Sequence, residues 1–209
     1  MNRAITQFEI NLQSARQLGV IYSAFVGQLT AAVDLDELLR AELVLAVSAL
    51  DCFVHDLVRI GMGRAFDATA TVPKSFIAFG VSMGFAREIL AATSTADRDA
   101  LADQEIRRLL GFKTFQAPDK ISQALSLLGI TEIWNKVGTA IGVDSVTARK
   151  QLEVIVDRRN RIAHEGDIDP TKGIGVKYTI NFPMVKQAVD YLDTIAHAIQ
   201  LAVVAEIAF

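Results

Sequence analysis

Cysteine is almost absent: the 209-residue chain has one, Cys52, so no internal disulfide can form. The cysteine lies in the apolar run from Val44 to Val54, which predicts a buried helix face and an inert thiol rather than a nucleophile. Proline numbers 4 and glycine 13, too few for collagen-like or linker-rich architecture. A surplus of positive charge is also missing. Lysine and arginine total 21 against 24 aspartates and glutamates, a net charge of -3, so no chain-wide field holds long nucleic acid and any such contact must be local. No stretch reaches the roughly 18 unbroken apolar residues of a membrane span; even Ala196 to Phe209 is interrupted by His197, Gln200 and Glu206. The opening Met1 to Glu9 lacks the apolar run and cleavage site of a secretory signal, so the expected compartment is the cytoplasm, without membrane contact.

Familiar chemical signatures are missing as well. There is no glycine-rich phosphate loop, nucleophile elbow or Cys-x-x-Cys pair, which removes the common NTPase, hydrolase and zinc-ribbon readings. No His-Glu-x-x-His spacing links His55, His164 and His197, so neither metal nor cofactor is expected.

What the chain does have is apolar periodicity. Hydrophobic residues make up 51% and charged residues 22%, which excludes disorder and suits one domain over residues 1–209 around a single core. Phe8, Leu12, Ala15, Leu18, Ile21, Phe25 and Leu29 recur at helical spacing and predict a first helix over about 3–29. A second begins after Asp34 as N-cap and runs through Leu38, Leu43, Val47, Leu50, Val54 and Val58 toward Gly61; apolar on most sides, it is the expected central helix. From 62 to 143, Pro73, Ser94, Pro118 and Thr131-Glu132 punctuate a set of short helices, read as an insertion beside a helical hairpin. Asp144 caps a helix that ends near Gly166. Pro170, Gly173 and Gly175, followed by alternating Val176, Tyr178 and Ile180, predict a loop with at most one short extended segment. The last helix starts at Asn181 to Pro183 and continues to about 208, with Val185, Val189, Leu192, Ile195 and Ile199 on one stripe. The expected fold class is all-α, with core helices at about 34–60, 145–165 and 182–208.

One segment gathers chemistry. Asp157-Arg158-Arg159-Asn160-Arg161-Ile162-Ala163-His164-Glu165-Gly166 places an imidazole, three guanidiniums and an amide within three helical turns. Cleavage of a phosphodiester by its neighbouring 2′-hydroxyl needs a base, an acid and positive charge at the phosphate, and these residue types supply them. At 100° per residue Asn160 and His164 share a face, Arg161 lies near it, and Arg159 is roughly 140° away. Each has a plainer alternative. His164 at a helix C-terminus can bond the last carbonyls, and Arg158 and Arg161 can pair with Asp157 and Glu165 on a solvated face. Asp51 and His55, spaced i, i+4 among apolar neighbours, must meet something polar: each other, or, for Asp51, Arg159 or His164. Tyr178 either stacks a base or packs in the core.

Arg159-Asn160-x-x-x-His164 on a late helix of an all-helical chain resembles the Arg-x(4–6)-His motif of the HEPN superfamily. The flanking Ile162 to Asp167 and the earlier Ala49-Leu50-Asp51-Cys52-Phe53-Val54-His55-Asp56 are similar to its RNA-repair-associated branch, RiboL-PSP-HEPN. The resemblance covers about 34–60 and 145–205; the middle and the first helix lie outside it. It implies a HEPN-like bundle that pairs as a homodimer, with RNA as substrate and an antitoxin or regulatory protein as a further partner. It also implies a metal-independent endoribonuclease, in toxin–antitoxin, phage-defence or RNA-processing settings, in which two His164 residues act as acid and base. Arg159 would then hold the phosphate and Asn160 orient the groups, with Asp51, His55, Arg158 and Arg161 as supporting candidates. Two other classes compete: a non-catalytic module that binds RNA or protein in the same cleft, and a structural dimerisation domain.

Overall fold

The computed structural model describes residues 1–28, 33–67 and 72–207. Among these, nine α-helices follow one another: α1 Asn2–Phe25, α2 Asp36–Asp67, α3 Lys74–Ile77, α4 Met83–Ala91, α5 Thr95–Leu110, α6 Pro118–Ser126, α7 Ile133–Ile141, α8 Ser145–Glu165 and α9 Phe182–Glu206. The chain is all-α. The only pairing of extended backbone among the described residues is one antiparallel bridge, Ile168 with Lys177. Leu29 and Ala208, at the ends of the expected first and last helices, lie outside the described residues.

Local chemistry sets most of the boundaries. Asp34 accepts from the backbone N–H of Asp36 at 3.0 Å where α2 starts. Ser94 caps α5 through Asp97 N–H, Asp144 caps α8 through Thr147 N–H, and Asn181 caps α9 through Met184 N–H. Each satisfies a donor that the first helical turn leaves free. Gly166 ends α8 in the left-handed region at φ 63°, the usual stop for a residue without Cβ. Asp167 follows, also left-handed at φ 60°, which an L-residue adopts only at a cost.

Helix α2 is the hub, touching α1, α5, α6, α8 and α9. Leu39, Leu43, Ala46, Val47, Leu50, Phe53, Val54, Leu57 and Val58 are all buried along it. They join one contiguous core with Phe8 and Leu12 of α1, Ile106 of α5, Ile121 of α6, Trp134 and Val137 of α7, Leu152 and Val156 of α8 and the α9 stripe. The middle segment therefore supplies core side chains. Helix α9 is long and apolar enough to cross a membrane by length and composition, with 44% of its apolar window buried inside the fold.

Two expectations need correction. Cys52 is exposed, not buried: the inward stripe of α2 passes through Leu50, Phe53 and Val54, and residue 52, 200° on from Leu50, turns outward. On α1 the stripe leaves the predicted track after Ala15. Ile21 and Phe25 are exposed, and Gly19 and the half-buried Tyr22 face inward instead. The reason is a close approach. A Cβ at Gly19 would stand 2.5 Å from Oε2 of Glu42, so the bare glycine is what lets α1 settle on α2.

Candidate active site

The C-terminal half of α8 carries the five polar side chains that the sequence singled out, and packing sorts them into distinct environments. Ile155 and Val156 face the core and fix the rotation of the helix. One turn later Arg158 is drawn under the following loop. Its Nη2 donates to Oδ2 of Asp167 at 2.8 Å, and to the carbonyls of Thr179 at 3.2 Å and Tyr178 at 3.3 Å. Arg40 of α2 meets the same carboxylate oxygen through Nε at 2.9 Å and donates to Tyr178 O at 3.0 Å. Asp167 has no exposed surface. An arginine–aspartate–arginine cluster thus clamps the loop after α8 onto α2 and α8, and Arg158 serves as its pillar. The expected partners of Arg158, Asp157 and Glu165, are replaced by Asp167 because the left-handed turn at 166–167 folds that carboxylate back under the helix.

Arg161 is exposed and lies over the Tyr178 ring, 5.6 Å from guanidinium carbon to ring centroid, with Arg158 at 5.3 Å. Tyr178 is thereby occupied by two cations, an arrangement that favours both guanidiniums electrostatically. It is neither a free stacking platform nor a core residue. Arg161 forms no ion pair with Asp157 or Glu165 among the described residues.

Arg159 points elsewhere. Its Nη1 donates to Oδ1 of Asn160 at 3.1 Å, and its buried Nε finds no acceptor. A buried guanidinium nitrogen without a partner costs free energy, and a phosphate oxygen would satisfy it. Asn160 accepts in addition from Nε2 of Gln116 at 3.5 Å. His164, one turn beyond Asn160 on the same face, is exposed and makes no hydrogen bond among the described residues, including none to the last carbonyls of α8.

Asp51 and His55 do not pair with each other. Asp51 Oδ1 accepts from the backbone N–H of Phe115. His55 Nε2 meets the carbonyl of Lys113 at 3.1 Å, and its ring packs on Phe115 at 4.4 Å between centroids. No bond joins Asp51 to Arg159 or His164; both α2 residues act on the loop between α5 and α6, whose Gln116 reaches Asn160. The link from Asp51 to the motif is therefore indirect. His197 stands on a different seam, between Glu9 of α1 and Asp193 of α9. Among the described residues no group of three or more His, Cys, Asp or Glu side chains is placed to hold a metal ion. Cys52 carries a thiol pKa pushed up by desolvation and by the charges of Asp51 and Asp56, the opposite of what an activated nucleophile needs.

Sequence reasoning missed Arg40, Asp167 and Gln116. Arg40 had a signal, a lone cation on the apolar track between Leu39 and Leu43. Gln116 had none, because its role depends on a tertiary contact.

A family model described as RiboL-PSP-HEPN matches residues 21–204. The chain belongs to the RiboL-PSP-HEPN family. The match takes in the whole α2–α8 segment, the middle helices included, and leaves most of α1 outside. No curated protein and no solved structure matches the chain. Membership of a HEPN family points to a nuclease or an RNA-binding module.

Proposed function

We propose that this RiboL-PSP-HEPN protein is a metal-independent endoribonuclease whose site is completed across a homodimer. The observation that carries the reading is the division of labour between adjacent arginines. Arg158 is spent on Asp167, whereas Arg159 keeps an unpartnered buried donor beside Asn160, one helical turn from an unencumbered His164. In the reaction one imidazole takes the proton of a ribose 2′-hydroxyl, whose oxygen attacks the adjacent phosphorus. A second imidazole gives a proton to the departing 5′-oxygen, leaving a 2′,3′-cyclic phosphate and a 5′-hydroxyl. Arg159 holds the non-bridging oxygens, where negative charge grows, and Asn160 orients Arg159.

A single His164 cannot be charged and neutral at once, which is why two copies are invoked. Pairing is supported by an apolar groove of about 490 Å³ on the same helix, bordered by Val154, Ile155, Met184, Val185, Ala188 and Arg158. Val154 is 62% and Met184 53% exposed in the isolated chain, so the groove they border presents apolar surface to solvent. Toxin–antitoxin, phage-defence and RNA-processing roles all fit such an enzyme, with an antitoxin or regulatory protein as its controlling partner.

The test is cleavage of a labelled mixed RNA in EDTA by the wild type and by His164→Ala, with end-group analysis. The expected result is cyclic-phosphate ends and a bell-shaped pH profile in the wild type, and a loss of about 10²–10⁴-fold in the variant. A folded dimer that binds RNA without cutting it, across several RNAs and pH values, makes the chain an RNA-binding module instead.

A further inference from the structure

The loop between α5 and α6 does more than fill space, because it carries an aromatic ring in solvent at a point anchored to the candidate site. Phe112 is 77% exposed, although the chain buries its other loop aromatic, Phe115, at 3%. The loop beneath it is held firmly. Phe115 N–H is taken by Asp51, Lys113 carbonyl by His55, and Gln116 donates to Asn160 of the motif. Two side chains of α2 thus position a loop that presents Phe112 outward and Gln116 inward. A mobile surface loop with an incidental phenylalanine has no need of a buried glutamine and two polar anchors.

Two clefts share the ring as a wall. Phe112, Lys113 and Thr114 line one cleft of mixed charge, with Arg59 and Arg107 but also Asp51 and Asp56, and the same three residues line another with Lys120 and Gln123 and no carboxylate, which is the side that suits a strand. Lys113 and Lys120 form no ion pair among the described residues. Arg59 and Arg107 are tied to Asp103, so the unneutralised cations flank the aromatic ring. A ring with two ammonium groups beside it, neither paired with a carboxylate and Lys120 held only by Gln123 at 3.5 Å, fits a nucleobase on its face and phosphates at its edges; a peptide partner would more naturally require a continuous apolar strip. Three residues separate Phe112 from Gln116, four chain steps or at most about 14 Å of extended chain, so one short oligonucleotide can touch both.

We propose that Phe112, Lys113 and Lys120 form a stacking subsite for single-stranded RNA, which positions the strand so that a phosphate a few nucleotides away meets Arg159 and Asn160. The subsite rests on the ribonuclease reading of that motif, and it names the substrate class as unpaired RNA, since a base inside a duplex has no free face for the ring. Selection for loops and single-stranded tails follows, with little dependence on base identity because every base offers a π-face.

The experiment is RNA binding by the full chain carrying His164→Ala, so that no substrate is consumed, with Phe112→Ala, Phe112→Trp and Lys113→Ala/Lys120→Ala added. The probe is a fluorescein-labelled 12-nucleotide unstructured RNA, with a duplex of the same length as comparison. Phe112→Ala is expected to weaken single-strand binding about tenfold and duplex binding little. Phe112→Trp retains affinity, and its indole fluorescence is quenched on binding; Trp134, the natural tryptophan, is buried away from contact with bound RNA and gives the constant background. The double lysine variant lowers affinity and flattens the salt dependence. Because Phe112 is exposed, these variants fold. If the parent binds single-stranded RNA and Phe112→Ala binds it equally well, the subsite is overturned while the ribonuclease reading stands. If the parent binds no RNA at all, both fall.

Discussion

Asp167 takes two guanidiniums in a fully buried position, and it is the one carboxylate that Arg158 meets among the described residues. Asp167→Asn keeps the shape and tolerates the left-handed backbone, yet it leaves Arg158 with no carboxylate and Arg40 with only the half-exposed Glu37 at 3.1 Å; unfolding in urea is expected to show a loss of about 3 kcal/mol. The two neighbouring arginines separate on the same logic. Arg158→Ala lowers stability and, at a temperature where the variant is folded, leaves cleavage close to wild type. Arg159→Ala leaves the urea midpoint nearly unchanged and lowers cleavage about 10²–10³-fold. An equal stability cost for both would remove the distinction on which the site assignment rests. The candidate residues Arg159, Asn160 and His164 were legible because they sit within one short helical segment. Which arginine was free was not legible, since it depends on a carboxylate that a turn at 166–167 folds back from beyond the helix end. Nor was the destination of Asp51 and His55: their spacing told that both needed polar partners, but those partners are backbone groups of a loop some 60 residues away.

Helix α1 shows how an element's docking can hinge on a few groups. Glu42 is buried against Gly19 with an unpartnered Oε2; burial pushes its carboxyl up to about 7, opposed by Arg16 and reinforced by Asp190. The folded state therefore prefers the protonated acid, and the contribution is fully present below the unfolded value of 4.5 and lost as pH rises through about 7. His197 joins α1 to α9 through Glu9; although its partial burial works the other way, the Asp193 carbonyl and the Glu9 and Asp193 carboxylates hold its pKa above the ordinary value. Its share is likewise present below pH 6.5 and lost as the pH rises beyond. Both terms weaken the α1 seam in the same direction. Stability is expected to fall between pH 5 and 8, and Glu42→Gln should remove most of that fall, gaining up to about 3 kcal/mol at pH 8. A wild-type stability that is flat over that range would contradict the assignment. At this scale the helices and their caps were largely readable, because Ser94, Asp144, Asn181 and Gly166 act locally. The inward face of α1 was not, since the stripe bends at a glycine whose importance lies in Glu42 across the interface.

For the molecule as a whole, the arrangement joins an α2 hub to α8 and α9, with the motif at the end of α8 and an apolar groove along its side. All-α architecture followed from periodicity, while the part played by α5–α7 did not: punctuated short helices look like an insertion, and only their packing shows Ile106, Ile121 and Trp134 entering the common core. If the groove pairs two copies, Val154→Glu should convert a dimer into a monomer on a sizing column and abolish cleavage together, with helicity preserved. The most direct test of the shared site uses mixed dimers of differently tagged wild-type and His164→Ala subunits, purified by both tags and assayed on RNA in EDTA. The account predicts that the mixed dimer is as inactive as the His164→Ala homodimer, because one imidazole cannot serve as both acid and base. A mixed dimer that keeps half the wild-type rate would show that each subunit cuts by itself, and would contradict it.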